Sequence, residues 1–181
     1  MSLDLSGMKL PDEPSQETSA TVGSLCGEWA FLEIVTEQAI WGILKLDNKV
    51  GPHVTWRLDM KMRWELLLRV SKEHLPEEEP FLRKLNKQVK DCTRDRNIIV
   101  HGVVHALLES GDPNKPKAFW SVFRGADANK KFPVSIKAVQ IVRDNVQKLG
   151  NEMKAFNGRH NFPQTSLDGG FGEEGWPKPL E

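Results

Sequence analysis

Arg96 and His101 stand five positions apart in the stretch Arg94-Asp95-Arg96-Asn97-Ile98-Ile99-Val100-His101-Gly102, with the polar Asn97 directly after the arginine. These residue types suit one kind of chemistry. Histidine moves protons near neutral pH. Arginine is permanently charged and presents a planar fork of donors to a developing anion. A proton shuttle beside a fixed cation is what phosphodiester chemistry needs when no metal takes part.

Other groupings carry less. His101 and His105 are four apart, so on one helix they could share an ion. The glutamate of H-E-x-x-H is missing and no third ligand stands out, so no metal and no cofactor is expected. Cys26 and Cys92 lie far apart inside apolar segments and read as free thiols. No Gly-rich phosphate loop, Ser/His/Asp grouping or carboxylate pair with catalytic spacing appears. His53, His74 and His160 fall in loops or a tail and read as solvated.

The elements that must position Arg96 and His101 are mostly helical by pattern. Trp29, Leu32, Val35, Ala39, Ile43 and Leu46 mark one face of a helix over 25–46, stopped by Asn48 and Gly51-Pro52. Thr55 can cap a second helix, 56–74, with Leu58, Met62, Leu66 and Val70 on its apolar side and Arg57, Lys61, Arg63 and Arg69 elsewhere. Pro76 ends it. Glu77, Glu78 and Glu79 suit the positive end of a third helix, whose stripe runs through Leu82, Leu85, Val89 and Cys92 and which Gly111-Asp112-Pro113 closes. Ala118–Arg124 and Phe132–Val134 read as a small β-hairpin. Val139, Val142, Val146, Leu149, Met153 and Phe156 form the seam of a last helix, 136–156. The expected class is all-α: a four-helix, up-and-down-type bundle with a small β-hairpin before the last helix.

On a helical wheel Asn97 and His101 share one face, together with Arg94, Lys90, Lys87 and His105. That is a basic stripe suited to phosphates. Arg96 falls roughly 140° from His101 at about 100° per residue. Three outcomes are open: the helix bends, the long side chain reaches around, or Arg96 pairs with a buried acid such as Glu33. Arg57, Lys61 and Arg63 read more readily as a solvated face than as an RNA track. Trp29, Trp41, Trp56 and Trp64 read as core or dimer packing rather than base stacking. Trp120 suits edge-strand packing and a stacking platform equally.

The chain has 181 residues, 25 basic and 25 acidic. The neutral total conceals a division. Residues 1–22 carry −3 and residues 157–181 carry −2, which leaves +5 on 23–156. Both end stretches are polar or rich in Gly and Pro and read as acidic disordered tails around one helical domain, 23–156. No run of 18 apolar residues is present, and the first twenty residues lack the basic and apolar regions of a signal peptide. A cytoplasmic protein that does not enter membranes is expected.

Arg96-Asn97 followed by His101 resembles the R-x4–6-H motif of the HEPN superfamily, the higher eukaryotes and prokaryotes nucleotide-binding domains. The order of helices, with the motif late in the bundle and a further helix after it, is similar too. The resemblance spans roughly 25–156. It implies a HEPN-like bundle and a metal-independent endoribonuclease. His101 would be the general acid or base, Arg96 the stabiliser of phosphate and transition state, and Asn97 the residue that orients them. Arg94, Lys90 and His105 would bind RNA. It implies a site built across a homodimer, a 2′,3′-cyclic phosphate product, and a toxin–antitoxin, defence or RNA-processing role in which an antitoxin protein is a further partner. Three other readings stay open: an inactive HEPN-like module that binds RNA or nucleotides or serves as a scaffold, an unrelated bundle with a buried Arg–His network, and a metal-dependent helical hydrolase.

Overall fold

The computed structural model describes residues 16–101, 103–107, 117–121, 131–133 and 136–162. The helices are α1 (Gln16–Ile43), a short α2 (Gly51–Thr55), α3 (Met60–His74), α4 (Glu79–His101) and α5 (Ile136–Arg159), with a 3₁₀ turn at Pro76–Glu78 before α4. The described residues are predominantly helical, and the class is all-α. Between α4 and α5 lie three short strands, β1 (Val103–Leu107), β2 (Lys117–Ser121) and β3 (Lys131–Pro133), antiparallel in the order β1-β2-β3. His105 pairs with Phe119 in one register and Trp120 with Phe132 in the next. No described helix is long and apolar enough to cross a membrane.

Two compact units divide the chain. One comprises the described parts of Met1–Leu32 and Pro80–Asn151. Its core is Leu25, Trp29 and Leu32 of α1, Leu82, Leu85, Val89, Cys92, Ile98 and Ile99 of α4, and Val139, Val142, Val146 and Leu149 of α5. The stripes expected for α4 and for this part of α5 are therefore the buried ones. Gly150 gives α5 a close approach, because a Cβ there would lie 2.8 Å from the Phe31 ring.

The second unit comprises Glu33–Glu79 and the described part of Glu152–Glu181. Val35, Ala39, Ile40, Trp41, Ile43, Met60, Trp64, Leu67, Val70, Met153 and Phe156 are buried in it. The Asn157 amide donates to the Val35 carbonyl at 2.8 Å, so a fully buried polar side chain ties α5 to α1. Beyond α5, His160 meets Glu78 at 3.0 Å and stacks on Phe162, whose ring occupies the space a side chain at Gly42 would need.

Several boundaries differ from the sequence reading. Residues 16–22, read as tail, form the first turns of α1, where Thr21 is buried and its hydroxyl donates to the Glu17 carbonyl. Residues 157–159, also read as tail, complete α5. His160 is half-buried and hydrogen-bonded to Glu78 rather than solvated. The cap of α3 is Asp59, whose Oδ1 accepts from the Met62 N–H at 2.8 Å. Thr55 cannot serve, since its hydroxyl accepts from Trp41 Nε1 and turns back to the Gly51 carbonyl. Gly51-Pro52, read as a stop for the first helix, starts α2 instead, α1 having ended at Ile43, with Asp47 Oδ1 accepting from the Lys49 and Val50 N–H groups ahead of it. The inner face of α3 is Met60, Trp64, Leu67, Val70 and Ser71, and Met62 points outward.

Candidate functional site

α4 is a 23-residue helix whose last turn carries the R-N-x3-H stretch. It ends at His101, where the third helix was expected to run on to Gly111. A glycine follows, and the β-branched Val103 and Val104 favour the extended chain that β1 adopts. His105 therefore lies on β1 and not one turn beyond His101 on a helix. The helical i, i+4 histidine pair is gone, and with it the wheel argument for His105. Its side chain lies outside the described residues.

Arg96, Asn97 and His101 come together. Nη1 of Arg96 donates to Asn97 Oδ1 at 3.1 Å and meets His101 Nε2 at 3.0 Å. Guanidinium nitrogens only donate, so Nε2 must accept. In this geometry Nε2 is the bare acceptor and the ring N–H lies on Nδ1. The guanidinium carbon also sits 5.6 Å from the centre of the Trp29 ring on α1, within cation–π range. Of the three outcomes open for Arg96, the side chain reaching around is the one observed. Its guanidinium has the Trp29 ring on one side and meets two exposed residues, Asn97 and His101, through Nη1. Arg96 Nε is buried without a hydrogen-bond partner among the described residues.

Glu33, the candidate acid for Arg96, instead lies 3.5 Å from Arg63, which also pairs with Glu37 at 3.0 Å. Arg63 was read as part of a solvated face, but its side chain is only 12% exposed. Two acids one turn apart on α1 draw it inward, a pairing no α3 pattern could announce.

Lys87, Lys90, Arg94, Asn97 and His101 are all exposed along α4, at alternating three- and four-residue steps. Arg94 shares its charge with its neighbour, Nε and Nη2 both donating to Asp95 Oδ1 at 3.1 and 3.0 Å. Cys92 faces inward. Burial, and then the charges of Asp95 and Asp91, push its thiol up to about 11. It borders a cavity of about 200 Å³ with Gln88, Asp91, Asn145, Lys148 and Leu149. The described residues contain no cluster of three or more His, Cys, Asp or Glu side chains placed to hold a metal ion. Trp29 was read as core or dimer packing. Its place beneath a guanidinium had no signal in the sequence beyond its phase on α1.

Comparison with family models, with curated proteins and with solved structures gives no match.

Proposed function

We propose that this protein is a HEPN-type, metal-independent endoribonuclease acting as a homodimer. The observation that carries the reading is the gathering of Arg96, Asn97 and His101 through one guanidinium nitrogen, at 3.1 and 3.0 Å. The Nε2 lone pair that Arg96 caps is placed to accept the proton of a 2′-hydroxyl. In the reaction the guanidinium turns to the scissile phosphate and the imidazole takes the 2′ proton. The 2′-oxygen bonds to phosphorus, the bond to the 5′-oxygen breaks, and that oxygen takes a proton from water. A 2′,3′-cyclic phosphate remains. Lys87, Lys90 and Arg94 supply phosphate contacts along α4. Toxin–antitoxin, defence or RNA-processing roles, with an antitoxin as partner, fit such an enzyme.

The same contact also favours a second reading. An arginine bonded to its own histidine and resting on Trp29 stabilises a helix end without turning over any substrate, as in an inactive RNA-binding or scaffold module. One experiment separates the two. Purified protein is incubated with single-stranded RNA in EDTA, and product ends are tested for cyclic phosphate. We expect cleavage in the parent and its loss in Arg96→Ala and His101→Ala, with unchanged circular dichroism. Equal cleavage in parent and variants, or none in the parent, refutes the nuclease reading.

A further inference from the structure

We infer that Trp56 and Arg57 form a base-stacking platform for single-stranded RNA. The inference rests on RNA being the ligand proposed above and adds a contact that the R-N-x3-H cluster does not provide. Three of the four helical tryptophans are core residues, with Trp29, Trp41 and Trp64 between 1% and 7% exposed. Trp56 is 64% exposed, so of the core or dimer packing expected for all four, core packing does not hold here.

The position is fixed from beneath. Gly51 and Thr55 are the buried face of α2. A Cβ on Gly51 would lie 2.5 Å from the Trp41 ring, and Trp41 Nε1 donates to Thr55 Oγ1 at 3.2 Å. The Trp56 N–H then closes α2 onto the Pro52 carbonyl at 2.8 Å, and the Leu58 N–H returns to the Thr55 carbonyl at 2.9 Å. Trp56 thus leaves a backbone locked on both sides. The Arg57 guanidinium sits 4.5 Å over its ring. A ring with a guanidinium on one face and still mostly exposed offers its other face to solvent. One indole face backed by a cation is how sequence-tolerant single-strand binders hold a nucleobase.

Charge selects nucleic acid over a protein partner. Lys45, Lys49, His53, Arg57 and Lys61 are exposed on this stretch, with Lys61 in a weak surface pair with Glu65. The two acids within it, Asp47 and Asp59, turn their Oδ1 atoms to backbone N–H groups as caps. Four permanent cations, Lys45, Lys49, Arg57 and Lys61, against these two exposed carboxylates leave the stretch net basic. The exposed apolar residues, Val50, Val54 and Met62, add a rim on which sugar and base edges can rest.

The test is a fluorescence titration of the full chain carrying His101→Ala, so that nothing is cleaved, with a 12-nucleotide oligouridylate. We expect saturable quenching and salt-sensitive affinity. Trp56→Ala should weaken binding about tenfold, the effect of one lost base stack. Trp56→Phe should keep most of the affinity and lose most of the quenching. Arg57→Ala should reduce the slope of log affinity against log salt by about 0.7, one phosphate contact on a single strand. Parent-like affinity and quenching in Trp56→Ala, or no binding in the parent, overturns the inference. So does a change from dimer to monomer in Trp56→Ala, which would make the surface a protein interface. Cleavage that depends on Arg96 and His101 but ignores Trp56 would leave the nuclease standing and remove the platform. Trp56-dependent binding without cleavage would do the reverse.

Discussion

Gly51→Ala sets two effects of opposite sign against each other. In an open helix the change stabilises by about 1 kcal/mol, because alanine loses less backbone entropy. Here the new methyl would lie 2.5, 2.6 and 2.8 Å from Cδ2, Cγ and Cε2 of Trp41. Carbon atoms rest at about 3.5–4.0 Å, so ring and helix must part by roughly 1 Å. The ring is held near its root and is only 7% exposed, so it has little room to swing away. Overpacking of this kind costs about 1–3 kcal/mol. Any retreat of the indole also stretches its 3.2 Å bond to Thr55, whose loss adds about 1 kcal/mol. The steric and hydrogen-bond losses outweigh the propensity gain, for a net destabilisation of about 1–3 kcal/mol. In urea, with a slope of about 2 kcal/mol/M, the midpoint should fall by about 0.5–1.5 M. A midpoint equal to the parent's or higher would refute the argument that α2 is seated on Trp41 through this glycine.

Arg63→Met should cost about 2–3 kcal/mol, because it takes from Glu33 and Glu37 the cation they share, the exposure of Glu33 softening the full penalty of a broken buried pair. Adding Glu37→Gln to it should recover part of that loss in the same denaturation assay; a double variant no more stable than Arg63→Met would contradict the charge argument. Asn157→Ala removes the buried bond that ties α5 to the Val35 carbonyl, which keeps its intrahelical partner, and should lower stability by about 1 kcal/mol, read as a shifted thermal midpoint. The Cys92 thiol, raised from 9.0 to about 11, stabilises the folded state fully below pH 9, and that contribution is lost as pH climbs through 11. Melting temperatures at pH 8 and pH 10.5 should therefore fall more steeply in the parent than in Cys92→Ala, and parallel declines would count against it.

What could be read from the chain alone depended on whether one helix decided it. The seams of α4 and α5 are single-faced and regular, so Leu82, Leu85 and Val89, and Val139 through Phe156, appear in the sequence as they are buried. The seam of α3 does not, because Trp64 and Ser71 share its inner face and two glutamates on another helix pull Arg63 in. Thr55 has the residue type of a cap, but a distant tryptophan had already engaged its hydroxyl. The gathering of Asn97 and His101 followed from helical phase. Arg96 did not, since a wheel places Cα atoms and says nothing of a side chain long enough to carry its charge to the far side. His160 looked solvated because its partner, Glu78, lies 82 positions away.

The single nitrogen that joins Arg96 to both neighbours has a thermodynamic consequence. Nη1 carries two hydrogens, and Asn97 and His101 take one each. An anion that grips the guanidinium in a fork through Nη1 and Nη2 must displace one of them. Anion binding and the side-chain bonds of Asn97 and His101 therefore compete for one shared pair of hydrogens, and by reciprocity each weakens the other. Asn97→Ala, by leaving Nη1 a hydrogen to spare, should let phosphate bind more tightly than it does to the parent.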